Sequence, residues 1–135
     1  MIYYVGDIHG RVEDIAAINE AAISNGVDIV VQVGDFGIHW PGQKCPIAEY
    51  FESLSRTGDL NNPVWYTCGG NHDNWDKFSQ LSSEQADPRL VELAPNCYYV
   101  PRGEVVTLNG KKHIFFGGAE STDKHMRKEG STCWK

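Results

Sequence analysis

Residues 64–74 read VWYTCGGNHDN. Val64, Trp65, Tyr66 and Thr67 are residue types that fit a pleated, buried surface. Gly69-Gly70 stops the run, and an amide, an imidazole and a carboxylate follow at Asn71, His72 and Asp73. Strong polar side chains just beyond a buried strand mean a tight turn or a site that holds a cation and a phosphate. The choice depends on whether other strands of this chain end the same way.

Residues 2–5, IYYV, are short and apolar; Gly6 ends them and Asp7 and His9 follow. Residues 28–33, DIVVQV, end at Gly34 and are followed by Asp35. Between these runs, Val12, Ile15, Ala16, Ile18, Ala22 and Ile23 recur at a helical period over residues 11–24, with Gly26 as a stop. Residues 46–56 predict a second helix, with Pro46 in the first turn and a stripe of Ile47, Tyr50, Phe51 and Leu54. Strand, helix, strand, helix, strand predicts an α/β fold with right-handed crossovers and a parallel sheet buried on both faces.

In such a sheet the carboxyl ends of the strands share one edge, where ligands bind. Gly6-Asp7-Ile8-His9-Gly10, Gly34-Asp35-Phe36-Gly37 and Gly70-Asn71-His72-Asp73 should therefore meet in space. Asp7 and His9 are two apart, so in an extended chain they point to one side. Their combined donors are an imidazole, two carboxylates and an amide oxygen. That mixed set suits manganese, iron or zinc, and not calcium, which takes oxygen ligands. His72, beside the amide, can hydrogen-bond a leaving oxygen or a phosphate. Singly, each cluster is also an ordinary turn, with Asp7 or His9 near a helix start and His72 and Asp73 solvated. Gly-Asn-His-Asp would occur by chance in about one chain of this length in a thousand. Three such clusters, each at a strand end, favour the site.

The second half changes character. Residues 75–81 predict a short helix, and residues 82–95 read as polar and mostly loop. Residues 97–100, 104–108 and 112–116 predict short strands, with Asn109-Gly110 as a two-residue hairpin turn. Residues 121–135 are polar, with no clear element.

The chain has 135 residues, 41% hydrophobic and 22% charged, which predicts one ordinary folded domain over residues 1–135. Its net charge of −6 argues against a broad electrostatic grip on nucleic acid. An anionic substrate would need a local cation to offset that field, and a bound metal supplies one. No apolar run is long enough to span a membrane, and MIYYVGDIHG has neither the basic start nor the long apolar stretch of a signal peptide. Cys45, Cys68, Cys97 and Cys133 are far apart, which argues against a structural zinc site and for reduced thiols in a cytoplasmic protein.

Asp7-x-His9, Gly34-Asp35 and Gly70-Asn71-His72-Asp73 resemble the first three motifs of the calcineurin-like metallophosphoesterases. The stretch 117–124, GGAESTDK, resembles one found after the third motif in small bacterial and phage members. The resemblance implies a sandwich of two mixed sheets flanked by helices, with up to two metals (manganese, iron, zinc or nickel) at the sheet edge. It implies that Asp7 and His9 hold the first metal, Asp35 bridges both, Asn71 holds the second, and His72 is the acid or the phosphate contact. Water activated at the metals would attack phosphorus in line. His39 is expected near the phosphate, where some members place an arginine.

The family's later metal-binding histidine and its Gly-His-x-His motif are missing. After Asp73 only His113, at a strand start, and His125, in a polar stretch, remain, and neither is expected to be a ligand. The second sheet is expected to be incomplete, and one metal rather than two is a natural outcome. The chain reads either as a fragment or truncated form of a longer enzyme with weak activity, or as a natural short protein. In the second case it can be an inactive binding module, an inhibitor or adaptor, that forms a homodimer or meets a protein partner through an exposed sheet edge.

Overall fold

The computed structural model describes residues 1–41, 44–58, 61–118, 120–122 and 124–126. Cys133 and most of the polar stretch at 121–135 lie outside the described residues.

The chain forms β1 (Ile2–Val5), α1 (Val12–Ser24), β2 (Ile29–Gln32), α2 (Pro46–Thr57), β3 (Val64–Thr67), α3 (Trp75–Glu84), β4 (Val91–Ala94), β5 (Cys97–Tyr99), β6 (Val105–Leu108) and β7 (Lys111–Ile114). The larger sheet has the order β1-β2-β3-β5-β4. β1, β2, β3 and β5 are parallel, and β4 is antiparallel at one edge. This is the predicted α/β architecture, with its strand-end clusters on one edge. No helix among the described residues is long and apolar enough to cross a membrane.

Two expectations of the second half are corrected. α3 runs on to Glu84 rather than stopping at Leu81. Within the expected loop, Val91–Ala94 is a strand. Val91 and Leu93 are buried and Glu92 is exposed, so the period of two was present but short and set among polar residues. Gln85, just past α3, secures this strand: its Nε2 donates to the Glu92 carbonyl at 2.8 Å and its Oε1 accepts from the Glu92 N–H at 2.7 Å.

Because β1, β2 and β3 are neighbours in sequence order, same-handed crossovers place α1 and α2 on one face, where they touch. The core on that face joins Ile15 and Ala22 of α1, Ile47 and Phe51 of α2, and Val30 and Trp65 of the sheet. Trp65 is completely buried, and its indole N–H donates to Asn19 Oδ1 at 2.8 Å. Phe36 stacks on Trp65 with ring centroids 5.8 Å apart and planes 8° apart. Burying such a ring contributes about 1.5–3 kcal/mol. It anchors the backbone immediately after Asp35.

The other face is covered by the β6–β7 hairpin, the second sheet. Asn109 (φ 48) and Gly110 (φ 76) make its left-handed two-residue turn. Leu108 and Phe115 pack there against Val31, Cys68 and Val100. The Tyr4 hydroxyl and His113 Nε2, 2.8 Å apart, tie the hairpin to β1. The second sheet has only these two strands among the described residues. Tyr4, Val33, Ile114 and Phe116 stay exposed.

Candidate metal centre

Three loops leave the carboxyl ends of β1, β2 and β3, and they are zipped together. The Asp7, His9 and Gly10 N–H groups donate to the carbonyls of Gly34, Asp35 and Phe36 at 3.3, 2.8 and 2.9 Å. Asp7, His9 and Asp35 all hold left-handed backbone, with φ of 53, 50 and 57°. Non-glycine residues adopt this region at a cost and persist there only where the surroundings over-determine them. Asp7 and His9 are thus not extended, as their spacing had suggested, yet both reach the same point.

That point also involves Asp35. One ligand atom from each of Asp7, His9 and Asp35 lies within 4.8 Å of the others. His9 Nε2 is 3.9 Å from Asp7 Oδ1 and 3.9 Å from Asp35 Oδ2. Asp7 is open to solvent, whereas the Asp35 side chain is 13% exposed. Asp35 Oδ1 accepts the His72 N–H at 2.9 Å, which commits one oxygen to the third loop and leaves the other toward His9. A side chain at Gly70 would collide with the Asp35 carboxylate and its N–H, so the third loop approaches this closely only with glycine there.

Asp7, Asp35 and Asn71 line one pocket, together with Phe116, Gly117 and Gly118 from the far half of the chain. Asn71 Nδ2 donates to the Ser121 hydroxyl at 3.1 Å, which leaves its amide oxygen to act as a ligand. The His72 ring meets the His9 ring edge to face, with centroids 5.2 Å apart. The structure therefore brings together Asp7, His9, Asp35, Asn71 and His72.

It does not bring His39 to this pocket. His39 Nε2 is 2.8 Å from the Leu93 carbonyl. The imidazole also pairs with the Cys45 thiol, and that bond, ahead of the opposing effect of burial, pulls the His39 pKa up. Cys45 caps α2, and its sulfur accepts the His39 N–H at 3.1 Å. Among the described cysteines, Cys45, Cys68 and Cys97 are free thiols. His113 is held by Tyr4 and by the Lys111 carbonyl, 2.9 Å from Nδ1. His125 is exposed in a short 3-10 turn, Lys124–Met126.

Two residues that build the site escaped the sequence reading. Asp73 is fully buried rather than solvated. Its Oδ1 accepts the Gly37 N–H at 2.9 Å and its Oδ2 the Gly70 N–H at 2.8 Å, joining the second loop to the third. Burial pushes its pKa up against those hydrogen bonds. Gln32, completely buried at the end of β2, accepts the Gly34 N–H at 2.9 Å and the Thr67 hydroxyl at 2.6 Å through Oε1. It fixes the turn into Asp35. An uncharged polar residue closing an otherwise apolar strand was the available signal.

Ser121 orients Asn71 without lining the pocket. Replacing a residue that orients a ligand costs about 10–100-fold in metal affinity. Ser121→Ala is expected to weaken manganese binding within that range while the thermal midpoint stays close to wild type. A manganese titration would check it, and unchanged affinity would remove Ser121 from this role.

The family model described as calcineurin-like phosphoesterase matches residues 1–131. No curated protein and no solved structure matches the chain.

Proposed function

We infer the function from one premise: the chain belongs to the calcineurin-like phosphoesterase family, whose members are metal-dependent hydrolases. We propose that it hydrolyses a phosphoester, with Asp7 and His9 holding one divalent cation, Asp35 shared, and Asn71 Oδ1 serving a second position. The observation that carries this is the convergence of Asp7, His9 and Asp35 within 4.8 Å.

The residues fit such an ion. Ligand atoms at roughly 2.0–2.2 Å from a metal stand about 3–4.4 Å from one another, and the two 3.9 Å separations fall in that range. The mixed nitrogen and oxygen set suits manganese, iron, zinc or nickel. When bound, the ion would supply Lewis-acid stabilisation of phosphoryl charge and activation of water.

The chain's own groups supply the rest. Asp35 holds the His72 backbone, so that the His72 imidazole stands beside His9, where an imidazole nitrogen can donate to a leaving oxygen. Gly70 leaves the third loop against Asp35, and Gly117 and Gly118 form a wall without side chains.

The test is metal content of the chain after manganese loading and desalting. About one to two ions per chain are expected. No retained metal would remove this function. A second reading, a binding module without activity, is favoured by the exposed Tyr4, Val33, Ile114 and Phe116 on the hairpin face. A monomer in light scattering, together with retained metal, would count against that reading.

A further inference from the structure

Phe115 and Phe116 follow β7, and their two rings part. Phe115 is 4% exposed and packs with Leu108, Val31 and Val100, whereas Phe116 is 74% exposed. Phe115 is pinned: its N–H donates to the Glu104 carbonyl at 2.9 Å, and its carbonyl accepts the Gly103 N–H at 2.7 Å. In extended chain the residue beside an inward one points outward, so Phe116 is turned away from the hairpin core. Gly117 follows, and it sits so close to the third loop that an added Cβ would collide with the Gly69 carbonyl. Phe116 is thereby fixed beside that loop, and it lines the same cleft as Asp7, Asp35 and Asn71. The Arg102 guanidinium lies 5.9 Å from the centroid of the Phe116 ring, which still leaves most of the ring open.

Val33 lines the cleft too. It is 56% exposed, and its N–H donates to the Val5 carbonyl at 2.8 Å, which fixes the end of β2 beside β1. Two of the exposed apolar side chains therefore belong to the wall of the candidate metal centre. Exposed apolar surface inside a cleft marks a place where a ligand is covered.

The cleft encloses about 210 Å³, less than the roughly 300–1,000 Å³ of pockets that take drug-sized ligands. It has room for a phosphoryl group and one small organic group beside it. The walls select that group. Val33 and Phe116 offer no hydrogen bonds, so a polyhydroxylated group laid on them gives up bonds to water without replacement. An aromatic ring gives up none and gains stacking on Phe116. The carboxylates of Asp7 and Asp35 and the net charge of −6 act against an organic group that is itself negative.

We propose that Phe116, supported by Val33, is the specificity wall of this site, and that the substrate is a phosphoester whose organic group carries an uncharged aromatic ring stacked on Phe116. This rests on the phosphoesterase reading above.

The experiment uses the manganese-loaded full chain as wild type, Phe116→Ala and Phe116→Tyr. Two ligands of equal charge that cannot be hydrolysed at a P–O ester, phenylphosphonate and methylphosphonate, are titrated by calorimetry, and retained manganese is measured on the same samples. The wild type is expected to bind phenylphosphonate at least about fivefold more tightly than methylphosphonate. Phe116→Ala should keep its manganese and bring the two within about twofold. Phe116→Tyr, which keeps a ring, should keep the preference. The ratio of kcat/KM on phenyl phosphate or on uridine 5′-monophosphate to that on glycerol 2-phosphate should fall in Phe116→Ala, mostly through KM. A fall for phenyl phosphate alone assigns the ring to an aryl ester, and a fall for the nucleotide alone assigns it to a base held across a sugar.

Equal wild-type affinity for the two phosphonates would overturn the proposal while the metal reading stands. So would a preference that survives in Phe116→Ala, or equal loss of both ligands. A wild-type dimer that becomes a monomer in Phe116→Ala with its phosphonate preference intact would assign the ring to a contact between copies and overturn it too. A wild type that keeps no manganese overturns the phosphoesterase reading and this proposal together. Should the alanine variant fail to fold, Phe116→Leu, which keeps apolar bulk without a ring, carries the same comparison.

Discussion

Asp35→Asn is expected to retain its fold and lose its metal. The amide oxygen can still accept the His72 N–H that Asp35 Oδ1 now takes at 2.9 Å, so the loop connection survives. The negative charge does not survive, and Asp35 is the carboxylate that stands 3.9 Å from His9 Nε2 in a mostly buried position. Losing a charged ligand costs more than losing a residue that orients one, so manganese affinity should fall by more than about 100-fold. Phosphoesterase activity should fall with it. Stability should not fall: Asp35 acts on the buried Asp73 as a like charge, and neutralising it relieves that repulsion. Metal content by emission spectroscopy and a thermal melt on the same sample check both halves. Wild-type metal content in the variant would mean the site lies elsewhere.

Asp73→Ala should do the opposite and damage the fold first. It would leave the Gly37 and Gly70 N–H groups without their acceptor inside the protein. A buried donor left unsatisfied costs about 1–3 kcal/mol, so the pair costs roughly 2–6 kcal/mol against a usual total stability of about 5–15 kcal/mol. Relief of the buried charge offsets part of this. The net is still expected to lower the thermal midpoint by about 10 °C. Metal affinity should fall too, because Asp73 ties the loop of Asp35 to the loop of Asn71. Asp73→Asn keeps one acceptor and no charge and should lie between. A midpoint within about 2 °C of wild type for the alanine variant would show that the carboxylate ties nothing.

These two aspartates differ in how readable they were. Asp35 follows a glycine at a strand end, and the alternation of strands and helices predicts which edge it occupies. Asp73 sits in the same motif as Asn71 and His72, and nothing local separates a ligand from a buried tie. Its partner Gly37 is 36 residues away. His39 shows the same limit. It follows Asp35 by four residues, yet its imidazole is drawn to the Leu93 carbonyl 54 residues on. Leu93 lies in a polar stretch that predicts loop, whereas it belongs to a strand, so nothing in the sequence marks its carbonyl as the competing partner.

The sequence by itself determined the element types of the first half, their order, and the edge on which Asp7, His9, Asp35, Asn71 and His72 gather. Those follow from hydrophobic period, glycine stops and the handedness of crossovers, which are local or topological. Only the tertiary structure decided the left-handed backbone of Asp7, His9 and Asp35, the clamp of Gln32, the burial of Asp73, the exclusion of His39, and the wall of Phe116, Gly117 and Gly118. Each of these depends on hydrogen bonds or packing between loops far apart in the chain, such as Asn71 with Ser121 across 50 residues. Such contacts form only when the whole sheet has placed its loops side by side.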